Sequence, residues 1–167
     1  MTQEQLTGGD EADLELIMST AEALRGWEKA TGRQARGKPL RETIWFYWQQ
    51  PRLAKDSVRG KYPRSVPWSP AAREAHGAGE AGLVIEHTQP MKVLVRSLLD
   101  DPPSDLAALR DRLDAGLSCV VITEHESAEL ARAGVASTVL GDDDDPFARY
   151  RLAGLEPESF KPLAADV

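Results

Sequence analysis

The chain has one cysteine, Cys119, and no asparagine. A lone thiol excludes an intrachain disulfide and any zinc site built from several cysteines, and it suits a reducing, cytoplasmic setting. No apolar stretch approaches the roughly 20 residues that a membrane-spanning helix needs. The opening MTQEQLTGGDEADLE is acidic where a secretory signal is basic and then apolar, so no membrane partner is expected. Glycine-rich phosphate loops, the G-x-S-x-G elbow and the dinucleotide fingerprint are missing too, which disfavours nucleotide-driven and serine-hydrolase chemistry.

What is present reads as a folded protein. Across 167 residues, 41% are hydrophobic and 28% charged, a globular balance with enough chain for one core. We expect a flexible start over 1–9, one domain over 10–155 and an extended tail over 156–167. The net charge of −7 is unevenly spread. Residues 33–64 carry nine Lys or Arg against Glu42 and Asp56, a net +7 that leaves −14 for the rest. Such a chain either presents a basic face to a polyanion or uses its basic segment to neutralise its own acidic part.

Periodicity and punctuation set the expected elements. Leu14, Ile17, Ala21, Leu24 and Trp27 recur at helical spacing, predicting a helix over about 11–31 stopped by Gly32. Leu40, Ile44, Tyr47 and Trp48 predict a second helix over 39–50, ended by Pro51. Four prolines from Pro51 to Pro70 then predict an irregular basic loop. Ser69 and Pro70 read as the cap and first turn of a short helix to His76.

The second half alternates. Leu83, Val84 and Ile85 predict a buried strand, and Met91, Leu94, Val95 and Leu98 a helix. Ser104 reads as the cap of another helix, ended by Gly116, before a second buried strand at Cys119–Ile122. Thr123 and Glu126 form a capping box for a helix stopped by Gly134, and Asp145-Pro146 opens a last one. The expected fold class is α+β, or α/β, with a helical first half and a β-α-α-β-α unit around a minimal sheet. Its two strands would lie parallel, since two helices give ample crossover length.

The first candidate site is Glu86-His87-Thr88-Gln89-Pro90, where an apolar run ends in an acid and an imidazole. This stretch resembles the first motif of the HNH, or His-Me finger, nucleases, in which an acid and a histidine end a strand and a proline follows. The resemblance implies that His87 is a general base activating water against a phosphodiester. It also implies that Glu86 is a ligand to a divalent metal (Mg, Mn or Zn) and that His125 completes the metal site. The chemistry is coherent, because imidazole titrates near neutrality and a metal offsets charge on the phosphate. The family's central asparagine has no counterpart here, and glutamate stands where aspartate is usual. Read without the resemblance, Glu86, His87 and Thr88 are the polar exit of a strand, and Glu124 and Glu126 favour a helix N-terminus.

The second candidate is aromatic and basic. Six of the ten aromatic residues lie between 45 and 68, within or beside the basic stretch. Arg41, Arg52, Lys55, Arg59, Lys61 and Arg64 are expected to meet phosphates while Trp45, Phe46, Tyr62 or Trp68 stack on bases. That pattern predicts a protein associated with DNA or RNA. The alternative is a non-catalytic module docking a protein partner, since Trp, Tyr and Arg dominate protein interfaces as well. Both readings compete with plain core packing of the aromatics.

Overall fold

A computed structural model describes residues 8–53, 57, 58, 61–136 and 145–163. In chain order it contains α1 (Gly8–Thr31), α2 (Lys38–Thr43), a π-helical turn (Ile44–Gln49), α3 (Gln50–Leu53), β1 (Ser57–Val58), β2 (Tyr62–Pro63) and α4 (Pro70–Gly77). There follow β3 (Leu83–His87), α5 (Met91–Asp100), α6 (Leu106–Gly116), β4 (Cys119–Thr123), α7 (Glu124–Arg132), α8 (Ala148–Leu152) and a 3-10 turn (Pro157–Ser159). The protein is α+β, with two small two-stranded antiparallel sheets, and no helix among the described residues is long and apolar enough to cross a membrane.

Its contacts divide into two compact units. One joins the chain up to Arg52 with Leu94–Gly116; the other joins Leu53–Val93 with the chain from Leu117 onward. In the first, α1 buries Leu14, Ile17 and Ala21 against α2, the π turn and α6. Gly32, at φ 66, stops α1 in the left-handed conformation that glycine adopts without strain. Arg96 clamps this unit with bonds to Glu28 (2.7 Å) and Asp100 (2.5 Å), while the Ala35 amide donates to Glu28 (2.8 Å). Led by the Arg96 bond, these partners hold the Glu28 carboxyl down at about 2.

The helix after Lys38 departs from expectation twice. It continues past Pro51 to Leu53, and its middle winds as a π turn in which the Gln50 amide reaches Trp45 O. Proline lacks the amide and crowds the preceding turn, and the wider π winding directly before Pro51 relieves that crowding. A π turn takes more residues per revolution than the α-helix's roughly 3.6, so Tyr47 rotates off the buried face. Leu40, Ile44 and Trp48 are buried, whereas Tyr47 is 48% exposed.

In the second unit β3 and β4 pair antiparallel, not parallel as expected, with Leu83 opposite Thr123 and His87 opposite Cys119. The chain leaves after β3 and returns beside itself, since Thr88 donates its amide to Ser118 O (2.8 Å). An excursion containing two helices can bring the chain back to the end it left, and sequence spacing alone does not distinguish that path from a crossover. The free edge of β4 is covered by Pro67–Ser69, with Val121 N donating to Pro67 O (2.9 Å) and Ser69 N to Val121 O (3.0 Å). Trp68 pairs in turn with Lys161, which places the tail beside it.

Alternation along β4 feeds two apolar clusters. Val121 packs with Trp68, Ala72, Leu83 and Val58, while Val120 and Ile122 pack with Leu130, Val135 and Tyr150. Where an irregular loop was expected, β1 and β2 pair over two residues. Asp105, not Ser104, takes the capping bond of α6, from the Ala108 amide (2.8 Å). Asp145 accepts from the Phe147 amide (3.0 Å), and α8 starts only at Ala148. Asp142–Asp144 and the first seven residues lie outside the described residues.

Two expected caps converge on one carboxylate. Ser69 accepts from the Ala72 amide (3.0 Å) and donates to Glu126 Oε2 (2.7 Å), which also accepts from the Thr123 amide (2.8 Å) and hydroxyl (3.1 Å). Both helices therefore start on a shared buried network. Ser69→Ala removes a cap and one bond to Glu126, and chemical denaturation should register a loss of about 1–2 kcal/mol.

Candidate functional site

Glu86 and His87 close β3, and consecutive strand residues send their side chains to opposite faces. Glu86 shares its face with Val84 and meets Arg149, whose guanidinium is 3% exposed. Arg149 Nη2 donates to Glu86 Oε1 (2.6 Å), to His87 O and to the Tyr150 hydroxyl (3.3 Å). Arg149 Nη1 donates to Ala136 O (3.1 Å), and Nε is buried without a hydrogen-bond partner among the described residues. Glu86 is thus the counterion of a buried arginine brought by α8.

The His87 side chain is partly buried at the end of β3. Burial, helped by the nearby Arg149 charge, pushes its imidazole down from 6.5 to about 4, so it stays neutral at ordinary pH. Tyr150, beside the same guanidinium, is pushed upward chiefly by burial. Cys119, opposite His87, is likewise buried and raised to about 11, which leaves the thiol protonated and unreactive.

The antiparallel register decides where His125 falls. α7 begins at the Thr123 end of β4, beside Leu83, and His87 lies at the other end of the pair. Four strand steps separate these ends by about 14 Å. The His125 side chain is exposed and points to Glu129, 3.4 Å away along its own helix. Glu86, His87 and His125 are therefore not brought together. Among the described residues no group of three or more His, Cys, Asp or Glu side chains stands together in a way that could hold a metal ion.

The aromatic and basic candidates divide by environment. Trp68 is fully buried, its Nε1 donating to Pro63 O (2.8 Å), and Tyr62 donates its hydroxyl to Leu83 O (2.8 Å). Those two rings are core and strap. Arg52 stacks over the buried Trp48, 3.5 Å from the ring centroid, and pairs with Asp10. Arg41 is exposed and pairs with its neighbour Glu42 at 3.0 Å. Phe46 is 57% exposed beside Tyr47, and Trp45 is half-buried. Lys61 is exposed over the Tyr62 ring (5.2 Å), and the Arg64 carbonyl accepts from Leu163 (3.0 Å). Lys55 and Arg59 lie outside the described residues.

The protein's ion pairs are mostly local. Outside 33–64, Arg96, Arg112, Arg132, Arg149 and Arg151 bind acids from the same acidic remainder of the chain. Arg52–Asp10 joins the basic stretch to that remainder.

Arg149 and Tyr150 had no sequence signal, because nothing in the spacing of DPFARYRLAG marks one arginine of two as buried. No protein-family model matches the chain, and it has no significant match among curated proteins or solved structures.

Two outcomes follow for the buried cluster. His87 is depressed in the fold and ordinary when unfolded, so between pH 6.5 and about 4 the unfolded chain takes up a proton that the native one refuses. Stability should fall as pH drops through that window, and denaturation of His87→Gln should lose that component of the slope. Glu86→Ala leaves Arg149 buried and unpaired, and should cost about 3–5 kcal/mol by urea unfolding at neutral pH.

Proposed function

We propose that the protein binds single-stranded or locally unpaired nucleic acid through residues 36–68, with Phe46 and Tyr47 as the stacking surface and the basic stretch as the phosphate contact. The observation that carries this reading is the charge arrangement. A segment of net charge +7 presents two exposed rings, Phe46 and Tyr47. Exposed rings and cations carried by one segment suit what an unpaired strand offers, a π face and a phosphate at each step. Trp68 and Tyr62 drop out of the contact set, and Tyr47 enters it.

Hydrolysis is not part of the core reading, since Glu86 is engaged by Arg149 and His125 stands at the far end of β4. A docking function for a protein partner is the second reading. It is favoured by Arg41 and Arg52, which flank the aromatic turn and already hold Glu42 and Asp10.

The test is fluorescence anisotropy with a labelled single-stranded oligonucleotide at two salt concentrations. Binding should weaken steeply with salt and fall at least tenfold in Phe46→Ala/Tyr47→Ala, as the loss of about 1–3 kcal/mol per stacked base requires. Arg59→Ala/Lys61→Ala should reduce the salt slope by about 2. Salt-independent binding, or none, would turn the reading to the protein partner. Strand cleavage on adding Mg²⁺, Mn²⁺ or Zn²⁺, lost in His87→Ala, would restore hydrolysis.

A further inference from the structure

α1 carries two large apolar side chains in solvent, Leu16 at 40% and Trp27 at 43% exposure. They stand about three turns apart and so on one face of the helix. Along that face Ala12, Leu16, Ser19, Ala23, Gly26 and Ala30 recur at alternating steps of four and three, the spacing of a coiled-coil seam, and all six are exposed. Leu14, Ile17 and Ala21 lie on another face and belong to the unit's own core. α1 therefore has a second seam, uncharged and turned to solvent.

Glycine weakens a helix interior, and it is kept where another backbone or side chain comes too near for a Cβ. A Cβ on Gly26 would meet nothing within 4 Å, so the space above it can take a side chain from outside. Charge then selects the occupant. Asp10, Glu11, Asp13 and Glu15 make the first half of α1 acidic, and its cations, Arg25 and Lys29, stand in the second half. Such a helix is complementary to itself when reversed, and antiparallel packing also brings opposite ends of the helix dipoles together.

We propose that α1 is a homodimer interface, pairing antiparallel with α1 of a second copy about a two-fold axis level with Ala21. In that register Leu16, the largest residue of the seam, lies over Gly26 of the other copy, Ser19 over its Ala23 and Ala12 over its Ala30, each contact occurring twice by symmetry. The same register sets Glu15 beside Lys29 of the other copy on one flank, again twice. Trp27, whose ring lies 5.8 Å from the Arg33 guanidinium, covers the opposite flank beside Asp13 of the other copy. Glu22 meets its own copy across the axis and is the register's repulsive contact. The interface does not depend on the nucleic-acid reading of residues 36–68.

Sedimentation equilibrium of the full chain from about 1 µM to about 1 mM tests this, with a monomer–dimer equilibrium expected. Lys29→Glu should weaken the dimer about tenfold, since two attractions become repulsions, and Glu15→Lys should do the same. An equal mixture of those two variants should associate nearly as tightly as wild type, because an antiparallel heterodimer restores both pairs. Gly26→Leu should leave a fold at least as stable to heat, having open room for the side chain, yet abolish the dimer by clashing with Leu16 of the other copy. Glu22→Gln should tighten it a few-fold. A chain that stays monomeric throughout, a dimer indifferent to Gly26→Leu, or a mixture no tighter than its components would overturn the proposal.

Discussion

A strand whose side chains are buried on both faces must have both of its edges paired, because unpaired amides there have no water to turn to. Cys119–Ile122 is such a strand, and much of the second unit follows from satisfying it. β3 supplies one edge and Pro67–Ser69 the other, and the second pairing forces Trp68 into the core next to Val121. Trp68 itself then needs a neighbour, which Lys161 provides. Ser69, carried along by the same pairing, comes within reach of Glu126, so the cap of α4 and the capping box of α7 meet on one carboxylate.

Much of this was legible in the sequence, and where it was legible the signal was local. Gly32 and Gly134 stop helices with positive φ, Ser69 and Pro70 open α4, and Thr123 with Glu126 forms the capping box, because each is decided within a few residues. The failures are of two other kinds. The direction of β4 depends on where a 30-residue excursion returns, and the pairing of Arg149 with Glu86 spans 63 positions. Neither leaves a periodic trace. The π turn is intermediate. Pro51 signalled a disturbance, but ending the helix and widening it relieve the same crowding, and only the second carries Tyr47 outward.

The same distinction separates the two candidate sites. The Glu86-His87 pair looked chemical because it ends an apolar run, yet its placement is better described by charge burial. A guanidinium 3% exposed demands a counterion, Glu86 is that counterion, and the His87 carbonyl takes another of its donors. A neutral imidazole in such a place can accept a proton only in acid, which limits its use as a base for chemistry near neutrality. The site is coherent as a polar anchor for α8 against the sheet.

Local pairing is also what gives the charge distribution its meaning. Had the acidic remainder neutralised residues 33–64 by contact, the polarity of the sequence would have vanished on folding. Several of that remainder's own acids, such as Glu28, Asp101, Glu129 and Glu158, are taken up by its arginines, while Arg52 of the basic stretch pairs with Asp10. Exposed charges act over only about 8–10 Å at ordinary ionic strength, so acids elsewhere on the surface do little to cancel cations that they do not touch. A negatively charged protein can in this way attract a polyanion to one segment while the rest of its surface limits how closely that polyanion can wrap.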